Sequence, residues 1–429
     1  MSQYTEYLEN YGKRAKKAAA ELAVLPVQIK NNILRTAADM LVSNSAEIIA
    51  ANNLDLENAK TNGMSVSMQD RLRLTEARLE GMADGLLKLV ALKDPVGNVI
   101  GGHTCENGLQ IIKKTVPLGV LGIIFEARPN VTADAAGLSI KSGNACILRG
   151  GKEAINSNLA VAKIFSQALE ANGVSPDCVQ LIDNTSREVA TELMQMNKYV
   201  DVLIPRGGRG LIESVVKNST VPVIQTGTGN CHIYVDEDAD LKMALDVIIN
   251  AKTQRPSVCN AVETVLISSV IADIFIPAMA RELIERNTQL RVCKETMSAI
   301  KASGCENIDM SYVIEAQDAD WDTEYNDYIL ALKIVNDVDE AISHINEHGT
   351  RHSEAIITEN FTTAVKFQEL VDASCVYVNA STRFTDGFEF GLGAEIGISN
   401  QKLHARGPMG LCELTTYKYI INGKGQIRK

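Results

Sequence analysis

LGVLGIIFEARPNVTADAAGLSIKSGNACILRGGKEA, residues 118–154, decides how this chain folds. Leu118–Phe125 is a compact apolar run with the length and bulk of a buried strand. A turn carrying Pro129 and Asn130 follows, then a helix, a second turn, a short apolar strand at Ala145–Leu148, and a glycine turn opening a helix. Two strands separated by a helix form a parallel β-α-β unit, because parallel neighbours need a crossover between them.

The rhythm continues downstream. Lys152–Ala171 reads as helix, Val179–Ile182 as strand, Arg187–Met196 as helix, Val202–Ile204 as strand and Leu211–Lys217 as helix. It restarts after residue 230 with CHIYVDEDADLKMALDVIINA, a strand, an acidic turn and a helix. ETVLISS, YILALKIV, EAIIT and CVYVN follow as strands with helices between them. Two α/β modules therefore stand in series, each a doubly wound sheet, with a boundary near Gly229. Upstream, Lys17–Leu41 and Ser67–Leu92 carry helical spacing, and Leu109–Thr115 alternates like an exposed strand. The tail, LTTYKYIINGKG, has the β-rich character of a strand that pairs outside its own domain.

The composition narrows the class. Among 429 residues, 45% are hydrophobic and 22% charged, an ordinary globular balance sufficient for two or three cores. A formal net charge of −11 excludes an extended nucleic-acid surface, while leaving room for a local basic pocket. The polar N-terminus has no signal-peptide core, and the longest apolar stretches are too short to span a bilayer. Nine cysteines, an odd number without a C-x-x-C pair, fit reduced thiols in a cytoplasmic enzyme.

Several residues could carry chemistry. Cys259, in TQRPSVCNAVETVLI, sits on a loop entering a strand. A thiol attacks only as thiolate, and Lys252 and Arg255 could supply the positive setting that favours it. A free cysteine is also often a small buried hydrophobe, and on residues alone Cys259 is only slightly favoured over Cys231. Asn130 can donate from its side-chain amide to a developing oxyanion, or instead satisfy backbone groups at a helix start. The turn Arg149-Gly150-Gly151-Lys152 places cations at a helix N-terminus, which suits a phosphate but also describes a solvated loop. A second basic turn, Arg206-Gly207-Gly208-Arg209-Gly210, again follows a strand. Two such turns in one module point to a phosphorylated dinucleotide, since arginine forks match phosphate geometry. His344, His348 and His352 repeat every four residues, but Gly349-Thr350 interrupts the helix, so no metal site is expected.

At this point a family becomes recognisable. The stretch VNDVDEAISHINEHGTRHSEAI, Val335–Ile356, resembles the signature of the glutamyl phosphate-reducing branch of the aldehyde dehydrogenase superfamily. FEARPNVT, QRPSVCNAVET, NASTRFTDGFEFGLGAEIGIS and KLHARGPMGLCELTTYKY extend the likeness over nearly the whole chain. The resemblance implies an aldehyde dehydrogenase-like α/β fold with two Rossmann-like domains and a small β oligomerisation flap. It places an NADP(H)-binding domain in 1–228, interrupted by the flap at 98–116. A catalytic domain with Cys259 follows in 229–400, and a tail, 401–429, completes the flap. The active site is expected in the cleft between the two larger domains.

Carried over residue by residue, Cys259 matches the nucleophile and Asn130 the oxyanion-holding asparagine. Arg149 falls near the adenosine-ribose position, beside Gly150, Gly151 and Lys152. Arg206, Gly207, Gly208 and Gly210 fall in the second nucleotide-phosphate loop. Arg255, Arg128 and Lys252 are candidates for the substrate's anionic groups. Where hydrolytic members keep a glutamate base, this chain holds Thr226, so its thioester should survive water. The implied reaction is NADPH-dependent reduction of L-glutamyl 5-phosphate to L-glutamate 5-semialdehyde and phosphate, the second step of proline synthesis from glutamate. A homo-oligomer is implied, and glutamate 5-kinase is a candidate physical partner. The alternatives are a water-using aldehyde dehydrogenase, a CoA-acylating one, a silent scaffold on the same fold, and a zinc-dependent histidinol-type enzyme.

Overall fold

The computed structural model describes residues 3–126, 128–302 and 308–428; Ala127, inside the FEARPNVT run, and Lys429 lie outside them. The chain forms two compact units. One comprises residues 1–226, 391–397 and 409–429, the other residues 227–390 and 398–408. The main crossover falls at Thr226–Gly227, and the chain makes two short returns that a boundary near residue 400 does not express.

The first unit opens with helices α1 (Thr5–Leu22), α2 (Val27–Ser43), α3 (Ser45–Thr61), α4 (Val66–Leu72) and α5 (Glu76–Ala91). Leu8, Gly12, Ala15, Ala18, Ala19 and Leu22 of α1 are buried, three and four residues apart, which makes one apolar stripe. The Lys17–Leu41 pattern is split because Pro26 adopts an extended conformation and caps α2, and a residue preceding proline disfavours helix. The Ser67–Leu92 pattern is split at Thr75, whose side chain accepts from the Arg78 N–H and starts α5 afresh.

β1 (Val99–Thr104) and β2 (Gln110–Pro117) form an antiparallel hairpin. The core sheet then assembles from β3 (Val120–Phe125), β4 (Ala145–Arg149), β5 (Val179–Leu181) and β6 (Val202–Arg206), parallel and in the order β5-β4-β3-β6. Helices α6 (Asn130–Lys141), α7 (Ile155–Ala171), α8 (Arg187–Leu193) and α9 (Arg209–Asn218) connect and follow these strands. Every residue of β3 is buried, as a central strand covered on both faces requires.

The second unit holds a seven-stranded parallel sheet in the order β10-β9-β11-β8-β7-β12-β13. Its strands are β7 (Cys231–Val235), β8 (Val262–Ser268), β9 (Gln289–Val292), β10 (Val313–Glu315), β11 (Ile329–Val335), β12 (Ser353–Ile357) and β13 (Cys375–Val378). Helices α10 (Leu241–Thr253), α11 (Ala272–Glu285), α12 (Lys294–Ala302), α13 (Val338–His348) and α14 (Phe361–Leu370) cover it. Two short strands, β14 (Gly397–Ser399) and β15 (Gly407–Met409), pair with each other near the returns. The last strand, β16 (Thr415–Asn422), belongs to the first unit and pairs antiparallel with the whole of β2, from Thr415 against Pro117 to Asn422 against Gln110.

Candidate active site

The loops that leave the carboxyl ends of the parallel strands β3, β4, β5 and β6 emerge on one edge of their sheet. They carry Glu126–Asn130 after β3, Arg149–Lys152 after β4 and Arg206–Gly210 after β6. The register puts Arg149 beside Ile124 and Arg206 beside Phe125, so the two arginines flank the end of β3. The strand order reverses direction at β3, which is where open α/β sheets place a ligand crevice.

The two glycine turns prove unlike. At Gly150 a Cβ would come within 2.2 Å of the Asn158 Nδ2 and 3.1 Å of the Phe125 ring, so only glycine fits this cradle. The Asn158 Nδ2 is buried without a hydrogen-bond partner, which leaves a donor at the turn's floor. Gly151 adopts an extended conformation before the helical turn Lys152–Ala154 that leads into α7. A backbone approaching this closely at a helix start fits a dinucleotide phosphate. Arg149, in contrast, spends its guanidinium on the Thr185 and Ser186 carbonyls, at 2.6 and 3.2 Å, and so holds the loop after β5.

At the second turn the start of α9 is already occupied. The Glu126 carboxylate accepts from the Gly208 N–H at 2.9 Å, and a Cβ at Gly207 would strike that carboxylate at 2.6 Å. A phosphate entering there would have to displace Glu126. The Arg206 guanidinium is held against Gly397, where a Cβ would lie 2.8 Å from its Nη1. Arg206 acts on Asp134 as well, opposing the effect of burial, which pushes that carboxyl up to about 6.

Asn130 is the first residue of α6 and is exposed. Its amide does not cap the helix; the Nδ2 donates instead to the Asp134 Oδ2 at 3.1 Å, one turn along. Arg128 is exposed beside it, with its own N–H bonded to the Glu126 carbonyl.

In the second unit Cys259 lies in the turn between α10 and β8. It therefore stands at the amino edge of the sheet, opposite to the carboxyl edge that usually carries the chemistry of α/β units. Its surroundings explain the placement. Gly229 lies against the Cys259 backbone so closely that a Cβ there would sit 1.4 Å from the carbonyl oxygen. Cys231 donates its thiol to that same carbonyl at 3.2 Å. Burial, then the nearby Glu354, push the Cys231 thiol far up, which keeps it protonated. Cys259 is only partly buried.

The Gly229 N–H is bound by Glu324 at 2.8 Å, and Asn230 reaches the Trp321 and His348 carbonyls at 2.6 and 3.0 Å. The recognisable run Val335–Ile356 works here as a frame. His352 meets the Ser353 hydroxyl at 2.8 Å, which meets Thr385 at 2.6 Å. Glu354 pairs with His232 at 3.1 Å, both fully buried. His344 is buried against His232, and burial lowers its basicity far below the ordinary histidine range. Among the described residues no three His, Cys, Asp or Glu side chains stand together as a metal site.

Arg383 was not singled out by the sequence. It follows β13, inside the family-like stretch NASTRFTDGFEFGLGAEIGIS, and returns to the cysteine loop. Its guanidinium bonds the Asn260 side-chain oxygen and the Gln254 amide oxygen, the latter at 3.0 Å, while Asn260 donates to the Arg383 and Thr385 carbonyls. Burial, then the neighbouring Arg255, pull Arg383 below its ordinary range, and the Cys259 thiol is among the groups opposing them. Arg255 itself is exposed. Arg383 thus stands close enough to both Cys259 and Arg255 for their charges to act on it. Lys252 is fully buried, and its ammonium contacts Glu263 at 2.6 Å. Thr226 donates its hydroxyl to the Pro205 carbonyl at 2.6 Å and has no acidic group to offer as a base.

The two parallel α/β sheets agree with the comparisons. The model of the aldehyde dehydrogenase family matches residues 5–325, and the chain belongs to that family. Similar solved structures include an acetylating aldehyde dehydrogenase from Geobacillus thermoglucosidasius, with a TM-score of 0.69 at 17% identity over 100% of this chain and 98% of that one, a likeness of fold. Within the family the chain belongs with the gamma-glutamyl phosphate reductases. It is 54% identical to that of Clostridium tetani over 100% of both chains, and 58% identical to that of Clostridium botulinum Eklund 17B over 97% of this chain and 98% of the other. The structure of the Thermotoga maritima gamma-glutamyl phosphate reductase superposes with a TM-score of 0.94 at 45% identity, covering 98% of this chain and 100% of that one.

Proposed function

We propose that this enzyme reduces L-glutamyl 5-phosphate to L-glutamate 5-semialdehyde with NADPH, through a thioester on Cys259. The observation that carries the reading is the cysteine loop, a partly buried Cys259 whose charge acts on Arg383, with no acid at Thr226. The Cys259 thiolate attacks the acyl carbon, the carbon–oxygen bond to phosphate breaks, and phosphate leaves as an anion. Covalent catalysis of this kind divides one hard step into two easier ones. The Asn130 amide and the Cys259 N–H stabilise each tetrahedral oxyanion, and losing one such donor typically lowers the rate on the order of 100-fold or more.

Bound NADPH supplies a hydride equivalent to the thioester carbonyl carbon. The carbon–sulfur bond then breaks, the aldehyde leaves and Cys259 is a thiolate again. The Gly150–Lys152 cradle at the start of α7 is the better fit for the dinucleotide phosphates. The Arg206–Gly210 turn would take part only once Glu126 gives way. Arg383 and Arg255 receive the substrate's anionic groups, with Arg128 as a further candidate, whereas the buried Lys252–Glu263 contact serves the structure.

The test is Cys259→Ala. The variant is expected to lose turnover while still binding NADPH, read by quenching or enhancement of nicotinamide fluorescence. Retained turnover would remove the covalent step.

A further inference from the structure

We propose that Asp134 is a positioning residue that sets the Asn130 amide with its nitrogen, not its oxygen, toward the reacting carbonyl. The inference rests on the reading of Asn130 as an oxyanion donor. A primary amide is two-faced: it must present N–H to a developing oxyanion, and rotation by half a turn would present oxygen and repel it. Something must choose between the faces. An ionised carboxylate can only accept hydrogen bonds, so a neighbour of that kind selects the N–H side.

Asp134 has the required place. It stands four residues after Asn130 on α6, so the two side chains lie one above the other on one helix face. Its Oδ2 accepts from the Asn130 Nδ2 at 3.1 Å. That contact uses one of the two amide hydrogens and leaves the other to donate outward. A charged acceptor also polarises the amide, which strengthens the remaining donor. Neither group is used in helix capping. Behind Asp134 stands Arg206 of β6, the one charged group that acts on it among the described residues, held in place against Gly397. This gives Arg206 a role in the first unit independent of nucleotide phosphate: with the Asn130 contact it favours the ionised form of Asp134 against burial.

The sign of the pH dependence follows. Burial raises the Asp134 carboxyl up to about 6, the Asn130 and Arg206 contacts pulling the other way. Above that pH the carboxylate accepts and Asn130 is set for the reaction. Below it a carboxylic acid can donate to the Asn130 oxygen and turn the amide over.

The experiment uses the intact enzyme in four forms: wild type, Asn130→Ala, Asp134→Asn and the double variant. Asp134→Asn keeps the shape but loses the selection, and is expected to lower kcat about tenfold with the NADPH Kd unchanged. In the Asn130→Ala background the same change is expected to do nothing further. Wild-type kcat is expected to drop by an additional step of about tenfold as the pH falls through 6, and Asp134→Asn to lack that step. Asp134→Glu, which retains an acceptor-only group, is expected to recover part of the loss. Asp134→Asn at wild-type kcat, or with an effect additive to Asn130→Ala, would overturn the positioning role while leaving Asn130 as a donor. Asn130→Ala with unchanged kcat would instead overturn the oxyanion reading, and the positioning role with it.

Discussion

At the residue scale the chemistry depends on how two units treat their polar side chains. Cys259 and Cys231 are both thiols near one backbone, and burial separates them: one is partly buried, the other held protonated and bound to its neighbour's carbonyl. Arg383 and Arg255 differ in another way. Arg383 is fixed by Asn260 and Gln254, whereas Arg255 is exposed. Arg383→Ala is therefore expected to raise KM for the acyl phosphate at least tenfold and to lower kcat, because a fixed guanidinium meets the leaving anion in place. Arg255→Ala should raise KM with kcat little changed. Steady-state kinetics on both variants separates these outcomes, and an unchanged KM in either removes that residue from the substrate site. Cys259 and Asn130 were visible in the sequence through their flanking segments. Arg383 was not singled out, although its stretch NASTRFTDGFEFGLGAEIGIS was, because its contact with the cysteine loop comes from a distant return of the chain.

At the element scale, strands and helices were legible wherever apolar residues repeat strongly, as in Leu118–Phe125 and Cys231–Val235. β9 and β10 were missed: Gln289-Leu290-Arg291-Val292 is short and half polar, as befits a strand toward the sheet's edge, and β10 has only three residues. The end of β8 that Cys259 joins was legible, because the strand pattern of ETVLISS follows the cysteine directly. Close packing of elements gives two predictions. Gly229→Ala would drive a methyl into the Cys259 carbonyl and displace the proposed nucleophile, with an expected loss on the order of 100-fold in kcat and a far-UV circular dichroism spectrum like that of the parent. Parent-like turnover would mean that the cysteine loop tolerates movement. Lys252→Met would leave Glu263 buried and unpaired, costing about 3–5 kcal/mol in a denaturant melt. A high KM with unchanged stability would return Lys252 to the substrate.

At the scale of the whole molecule, the antiparallel sheet of β1, β2 and β16 leaves apolar side chains in the open. Val99, Ile100, Tyr417, Tyr419 and Ile421 are between 48% and 66% exposed. A sheet edge of that kind needs cover, and a second copy of the chain is the expected cover. Ile421→Lys with Tyr419→Asp should shift the mass in light scattering toward a monomer, while a parent that is itself monomeric would contradict this. On the residues alone the tail reads only as a strand without a local partner, because its partner lies some three hundred residues earlier; the family resemblance supplied the pairing with the 98–116 flap, and β16 makes it.

The central claim is that the thioester on Cys259 is resolved by phosphate and not by water. It is tested most directly by supplying the purified enzyme with NADP and pyrroline-5-carboxylate, with and without inorganic phosphate. NADP reduction that requires phosphate is the predicted result. Reduction at the same rate without phosphate would contradict the account, for water would then be cleaving the thioester without any acid at Thr226.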